Sequence, residues 1–177
     1  MIVISVSLFS NAQQSNNNLI SKHTVGVDIV NTLTFLKKSS ESYLLNYRYN
    51  VTKTKSLRFG LNLDLSNGES DGYYPDFKIG IQKNTIKGNW NTYYGLDGSF
   101  YYFKSTANPT RTTRYGVSPF FGVEYYFNSH ISIASEASIN MYYYNQYNPD
   151  SFDPIKNRNY HRIVLGSIGM VMVMYHF

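Results

Sequence analysis

Apolar residues recur at every second position along most of this chain, and residues 56–65 show the pattern most clearly. Leu57, Phe59, Leu61, Leu63 and Leu65 alternate there with Ser56, Arg58, Gly60, Asn62 and Asp64. Because successive side chains of a β-strand point to opposite faces of a sheet, this period predicts strands with one apolar and one polar face. Seven further segments alternate in the same way, so the sequence predicts an all-β chain of eight antiparallel strands.

Two classes of connection alternate between the predicted strands. Short ones are expected at residues 52–55, 84–89 and 128–130. Longer polar ones are expected at residues 37–40, 66–75, 104–114 and 145–158, of which the first is short for its class. Alternating short and long connections are typical of up-and-down barrels of bacterial outer membranes, whose periplasmic turns are short and whose external loops are long. An even number of strands would place both termini on the periplasmic side.

The alternation does not by itself show which face points outward, because a soluble lipocalin-like barrel alternates too. The chain contains 18 Tyr and 11 Phe. Its apolar face is too bulky for the interior of an eight-strand barrel, which side chains nearly fill. The polar face is rich in Gly, Ser, Ala and Asn, and aromatic residues cluster near strand ends, where an interfacial girdle would lie. These features favour a transmembrane β-barrel with its apolar face towards lipid.

The hairpin of predicted strands six and seven carries a resemblance to a known family. Residues 118–127 read SPFFGVEYYF, and after a tight turn residues 131–136 read ISIASE. This hairpin resembles the penultimate hairpin of small outer-membrane β-barrel proteins of the OmpA-like and OmpX-like families, in versions common among Bacteroidota. The resemblance extends over about residues 20–177. It implies an outer-membrane location in contact with lipid and lipopolysaccharide, and says little about activity.

The end of the chain fits the same resemblance. Residues 163–177 alternate down to Tyr175 and Phe177, so the chain ends on an aromatic residue. In the resembled family the final residues help the outer-membrane assembly machinery to recognise the chain. The resemblance therefore implies that Tyr175 and Phe177 form an assembly signal.

The beginning of the chain is predicted to be a targeting segment. Residues 2–9 are apolar and Ser10, Asn11 and Ala12 follow, so residues 1–12 are interpreted as a secretory signal. The first basic residue is Lys22, a departure that leaves open either a signal truncated at its start or a frayed apolar N-terminus that is no signal. Residues 13–22 are then a short periplasmic segment, and residues 23–177 form the barrel domain. No apolar run is long enough for a transmembrane helix.

Charged residues of the polar faces are predicted to meet inside the barrel. A turn at residues 52–55 sets Arg48 nearly opposite Arg58, and the turn at residues 128–130 brings Glu124 near Glu136. In an eight-strand ring, strands two and three face strands six and seven. We therefore expect the arginines to meet the glutamates across the lumen as a charge-balanced plug, because an unpaired charge there would be costly.

A second group of charges is predicted higher in the lumen, formed by Asp64, Lys78 and Asp97. Two interpretations of the interior charges remain open. They either hold the barrel together as a satisfied interior, or act as a gate whose opening lets small ions pass.

A lipid-modifying enzyme is a further alternative. Such chemistry needs a Ser/His pair with an orienting acid. His130 and Ser132 share a predicted face with Glu136. Ser132 and Glu136 would, however, stand about 13 Å apart along a strand that rises ~3.3 Å per residue. That distance is too long to couple through one imidazole, and no acid shares the predicted face of His161. We therefore expect no enzymatic activity.

Composition limits the other classes of function. The chain has no cysteine, and its four histidines (His23, His130, His161 and His176) fall on distant elements, so neither a metal nor a cofactor is predicted. The net charge of +5 is scattered, and no stripe of Lys and Arg suggests nucleic acid. Ordinary solubility and attraction to anionic lipid head groups both remain interpretations of that charge.

The external loops are predicted to carry mixed charges. These are Glu69, Asp71 and Asp76 in one loop, Arg111 and Arg114 in another, and Asp150, Asp153, Lys156 and Arg158 in the longest. They are either simply solvated or contact lipopolysaccharide phosphates or an extracellular partner. The sequence thus predicts a monomeric, non-enzymatic barrel with a role in envelope structure or surface interaction. A narrow ion-conducting pore is the second hypothesis.

Overall fold

Antiparallel β-strands make up most of the part of the chain that the structure describes. The structure is a computed structural model that describes residues 21–29, 45–63, 75–104, 110–148, 157–166 and 170–177. These ranges contain nine strands: β1 (His23–Asp28), β2 (Leu45–Thr52), β3 (Lys55–Leu63), β4 (Pro75–Lys87), β5 (Trp90–Lys104), β6 (Arg111–Tyr126), β7 (Ile131–Tyr147), β8 (Asn157–Leu165) and β9 (Met170–His176). The predicted all-β class is confirmed for this part of the chain.

The strands form one antiparallel sheet that closes in a ring. Each strand from β1 to β7 pairs with the next along the chain, and β9 pairs with both β7 and β1. At the β1–β9 seam the two strands also exchange bonds at their ends, from the His23 nitrogen to the Phe177 oxygen (3.0 Å) and from the Phe177 nitrogen to the His23 oxygen (2.9 Å). Closure gives the sheet an inner and an outer face.

The predicted last strand, residues 163–177, is divided into two segments that lie along the same neighbour. Ile139 of β7 lies opposite Leu165 of β8, and Glu136 lies opposite Met170 of β9. The stretch of β7 between these pairs is two residues shorter than the stretch of chain that faces it. The register against β7 thus shifts by two residues between β8 and β9, so the prediction of a single uninterrupted strand was wrong.

The apolar members of the alternation lie on the outer face. Ile81 is 63% exposed and Ile163 is 73% exposed, whereas Arg58 on the inner face is 2% exposed. The burial pattern alternates in this way along β5, β6 and β7. Polarity in the structure is thus the reverse of that of a water-soluble protein with an apolar interior.

The three short turns lie at one end of the ring, and each is stabilised by local chemistry. The Thr52 hydroxyl accepts hydrogen bonds from the Thr54 nitrogen (3.2 Å) and the Lys55 nitrogen (3.0 Å). Asn128 Oδ1 accepts from the two backbone nitrogens that follow at His130 and Ile131, each at 2.8 Å. Such turns occupy only a few residues because a side chain substitutes for backbone partners.

The hairpin between β4 and β5 is tighter than the sequence predicts. The predicted connection covered residues 84–89, but β4 continues to Lys87 and β5 begins at Trp90. Gly88 in the turn has a φ of 57°, a conformation that costs other residues more than glycine.

Strands also extend into segments predicted to be long loops at the other end of the ring. β5 reaches Lys104, β7 reaches Tyr147, and β8 begins already at Asn157. Asp76, Arg111, Arg114 and Arg158 therefore lie in strands and not in loops. The predictions for residues 1–20 and 37–40, and those for Asp64, Glu69, Asp71, Asp150, Asp153 and Lys156, fall outside the described residues.

Pro119 lies within β6 without displacing the register. It pairs with Leu96 of β5, while the β6–β7 ladder passes from Val117 opposite Met141 to Phe120 opposite Ser138. The ladder to β7 is thus interrupted at the residue that lacks an N–H donor. Among the described residues, no helix is long and apolar enough to cross a membrane.

Candidate functional site: the charged interior of the ring

Two arginines lie side by side on the inner face of the hairpin of β2 and β3. Arg48 is directly opposite Arg58 in the register, and both side chains are buried. Two like charges in this position repel each other, so they need anionic partners nearby. The alternation of both strands is what points the two guanidinium groups inward.

Each arginine is paired with a glutamate from the other side of the ring. Arg48 Nη1 donates to Glu124 Oε2 of β6 at 2.9 Å. Arg58 donates from Nη1 to Glu136 Oε2 of β7 at 2.9 Å and from Nη2 to Glu136 Oε1 at 3.0 Å. Two parallel charge-assisted bonds of this kind fix the orientation of both groups. The structure thus brings together the four residues of the predicted plug.

Aromatic rings on the inner face cover the two guanidinium groups. Arg48 lies 4.6 Å from the centroid of the Tyr93 ring, and Arg58 lies 3.8 Å from the centroid of the Phe120 ring. A cation over an aromatic face is stabilised by the ring quadrupole. Sequence reasoning missed both rings, although Tyr93 shares the spacing of inward-facing Asn91 and Asp97.

Glycines make room for these rings. A Cβ added at Gly122 would overlap the Tyr93 ring, and one added at Gly95 would overlap Phe120 and the Ile81 backbone. Large side chains therefore fill the inside next to positions that carry none. The predicted small, polar inner face is corrected: Tyr93, Phe120, Tyr126, Tyr142, Met172 and Met174 are buried there too.

Asp97 joins the two predicted charge groups into one network. Its Oδ2 lies 3.6 Å from Arg58 Nη2 and 3.5 Å from Lys78 Nζ. Three basic groups, Lys78, Arg48 and Arg58, thereby lie among three acidic groups, Asp97, Glu124 and Glu136. Asp64, the remaining member of the predicted second group, falls outside the described residues.

A further buried ion pair lies nearer the end of the ring remote from the short turns. Arg114 Nη2 of β6 lies 2.8 Å from Asp76 Oδ2 of β4. Both residues were predicted to be in loops. The spacing along each strand could have placed them. Asp76 is two residues from inward-facing Lys78, and Arg114 is two residues from inward-facing Gly116, so each shares the inner face.

Near the short turns, a hydrogen-bonded group spans the seam between the first and last strands. The Thr24 hydroxyl lies 3.0 Å from His176 Nδ1, and the Ser132 hydroxyl lies 2.8 Å from His176 Nε2. The Ser132 hydroxyl also donates to Glu124 Oε1 at 2.5 Å. Four strands, β1, β9, β7 and β6, are linked through these side chains, and through Glu124 they connect to Arg48.

This seam group differs from a nucleophilic triad. In a triad the carboxylate orients the imidazole from the ring nitrogen opposite the serine. Here Thr24 occupies that nitrogen of His176, and the carboxylate of Glu124 accepts from the serine itself. Ser132 does not pair with His130 or Glu136, the partners considered from sequence: His130 Nδ1 instead lies 3.2 Å from the His176 oxygen.

Amide and hydroxyl side chains fill the inside near the short turns. Asn84 accepts from Gln82 at 2.5 Å and donates to the Ser56 hydroxyl at 2.7 Å, and Asn91 donates to Glu124 at 3.1 Å. A cavity with a volume of about 10 Å³ is lined by Gln82, Asn84, Asn91 and Glu124 together with Arg48. That is about the space of a single water.

The predicted assembly signal lies at the seam, on the outer face. Tyr175 and Phe177 are both more than half exposed, and their ring centroids are 6.0 Å apart. Phe177 also stacks on His23 of β1 at 5.5 Å. Within the described residues, no group of three or more His, Cys, Asp or Glu could hold a metal ion.

Comparisons with known proteins add no identity to this geometry: no family model, no curated protein and no solved structure matches the chain.

Proposed function

We propose that the chain is an eight-stranded, up-and-down transmembrane β-barrel of a bacterial outer membrane, with β8 and β9 as two parts of its last strand. In this proposal it is a monomer without catalytic activity, and its interior is closed by the paired charges. Its role is in envelope structure or in surface interaction through the end of the ring remote from the short turns. Phe177 and Tyr175 serve the assembly machinery.

The reversed polarity of the ring is the observation that carries this proposal. Large apolar side chains such as Ile81, Phe121 and Leu165 are exposed on the outer face of several strands, while the charged pairs are buried. Soluble monomers rarely expose contiguous apolar patches larger than a few hundred Å². Contact with hydrocarbon would remove the free-energy cost of exposing this outer face to water. A closed sheet also pairs the backbone N–H and C=O groups, which lipid cannot hydrogen-bond.

Charge balance inside the ring supports the non-conducting role. Lys78, Asp97, Arg58 and Glu136 form one ion-paired cluster and Arg48 with Glu124 another, and each contains equal numbers of basic and acidic groups. Burying any one of them without its partner would cost several kcal/mol. A permeating ion would have to compete with these contacts, so the narrow pore is the weaker hypothesis. The hydrogen bonding of Ser132 likewise does not support lipid-modifying chemistry.

The membrane proposal is tested by expressing residues 13–177 behind an intact secretory signal in a Gram-negative host. We expect the chain in the outer-membrane fraction, soluble only in detergent. We also expect a faster-migrating band on unheated than on boiled SDS gels, since a closed ring resists SDS at room temperature. A folded protein that remains monomeric in detergent-free buffer would refute the membrane location.

A further inference from the structure

The strands β4 to β8 present a row of aromatic and charged side chains on their inner face, remote from the short turns. Asp76 lies opposite Tyr101, Tyr101 opposite Arg114, Arg114 opposite Tyr144, and Tyr144 opposite Tyr160. These five residues, here called the tyrosine row, cross five neighbouring strands in one line. Residues directly opposite each other in a sheet lie on the same face, so the row forms one continuous surface.

The tyrosine row is held at one end by the ion pair of Arg114 with Asp76. The Arg114 guanidinium lies over two rings at once, 4.9 Å from the centroid of Tyr101 and 4.4 Å from that of Tyr142. Tyr142 contacts Tyr144 edge-on at 6.0 Å. The inner part of the row is thereby fixed by packing before any ligand arrives.

The other end of the row is open. The rings of Tyr144 and Tyr160 are stacked at 4.7 Å and only 6° from parallel. Tyr142 is 5% exposed and Tyr160 is 43% exposed, so the surface runs from a buried anchor to a flat, accessible ring. Arg114 Nε has no hydrogen-bond partner although the side chain is buried.

Positive charge surrounds this open end. Arg158 lies opposite Gln146 and Arg162 opposite Tyr142, so both arginines share the face of Tyr160 on β8. Both are exposed. Together with Arg114, these residues bring three arginines to the tyrosine row, whose one acidic member is Asp76.

We propose that the tyrosine row, with Arg158 and Arg162, is a binding site for an acidic saccharide. A sugar ring presents a flat face of C–H groups that packs on a tyrosine ring, and the tyrosine hydroxyls supply hydrogen bonds at the rim. Tyrosine gives such contact area with little loss of conformational entropy. Arginine binds a carboxylate or phosphate on the sugar through two parallel bonds.

This inference requires the described strands only and does not depend on membrane insertion. A sugar acid in solution and the sugar phosphates of lipopolysaccharide share the chemistry that the site recognises. The experiment therefore separates these two sources as well as testing the site.

Binding is measured by isothermal titration calorimetry on the full chain in detergent, with trigalacturonate as the acidic probe and maltotriose as the neutral one. We expect trigalacturonate to bind at least tenfold more tightly. Tyr160→Ala is expected to weaken trigalacturonate binding at least tenfold, and Tyr160→Phe by much less, because the ring is kept. Arg162→Gln is expected to remove most of the preference for the acidic probe.

Tyr94→Ala is the matched control, because Tyr94 is also an exposed tyrosine but lies on the outer face, opposite Lys83 near the short turns. It is expected to bind like the wild-type chain, and an unchanged melting temperature of Tyr160→Ala confirms that this variant is folded. Competition by purified lipopolysaccharide would show that the membrane's own glycolipid is a ligand. If lipopolysaccharide does not compete, the ligand is a free acidic sugar. The site is refuted if neither probe binds, if maltotriose binds equally well, or if Tyr160→Ala and Arg162→Gln bind trigalacturonate normally.

Discussion

Arg58 and Glu136 form two parallel hydrogen bonds, of 2.9 and 3.0 Å, although their strands β3 and β7 are not neighbours in the sheet. The contact therefore crosses the inside of the ring. It makes the packing of one side of the ring depend on a charge supplied by the other.

Reversing the charge of Arg58 is expected to destabilise the protein strongly. Arg58→Glu would place a third carboxylate between Glu136 and Asp97, and breaking a buried pair costs about 3–5 kcal/mol. The double change Arg58→Glu with Glu136→Arg is expected to recover part of that loss. Urea unfolding in detergent measures both free energies of unfolding, and Lys55→Glu at an exposed turn position is the control. An unchanged stability of Arg58→Glu would contradict the plug.

Removing one interior pair as a neutral unit is expected to open the ring to ions. Arg48→Ser with Glu124→Ser deletes two large side chains beside a cavity of only about 10 Å³ without leaving a lone charge. Planar-bilayer recordings should show discrete conductance steps for this variant and none for the wild-type chain. The exposed Lys87→Ser variant should behave like wild type. Conductance steps of equal size in all three proteins would favour a constitutive pore over a plugged barrel.

A lysine on the outer face is expected to be costly in a position-dependent way. Ile81 lies near the middle of β4, and Ile81→Lys should lower the free energy of unfolding in lipid by about 2–4 kcal/mol. Val51 is also exposed but lies next to the turn at the end of β2, so Val51→Lys should cost about 0–1 kcal/mol. Denaturant titration in lipid vesicles compares the two. A soluble ring would tolerate both lysines equally.

A methyl group at Gly122 is expected to disturb the packing under Arg48. The added Cβ would overlap the Tyr93 ring, and overpacking of this kind costs about 1–3 kcal/mol. Gly98→Ala is the matched control, since a Cβ there meets only the Ile79 oxygen at 3.8 Å. Melting temperatures of the two variants in the same detergent provide the measurement, and equal values would show that the Tyr93 ring can move aside without cost.

The inner charges show how far local pattern reaches. Hairpin geometry was sufficient to place Arg48 nearly opposite Arg58, but their direct pairing also depends on a one-residue register shift between Asn50 and Thr52. The pairing with Glu124 and Glu136 followed from assuming a ring of eight strands. Asp97 was assigned to a separate group because its height relative to Arg58 depends on the stagger accumulated over β4 and β5, which no single hairpin reveals.

Aromatic residues show where the pattern was incompletely used. Tyr93 and Phe120 each lie two residues from residues that were assigned to the inner face. Their inward direction could therefore be predicted from the two-residue period of a strand. Their role over the guanidinium groups could not, because it depends on glycines of neighbouring strands leaving space at the same level. The break between β8 and β9 had a signal that was not used, since Ser167 and Gly169 fall on the apolar parity while Ile168 and Met170 fall on the polar one.

The sequence alone determined that this chain forms strands and which side chains share a face, because the two-residue period is a property of the extended backbone. Only the tertiary structure decided which of those side chains meet. Arg114 with Asp76, Asp97 between Arg58 and Lys78, and the stacked Tyr144 and Tyr160 all depend on the relative stagger of strands around a closed ring. That stagger is set by the ring as a whole, so the sequence of a single segment does not determine it.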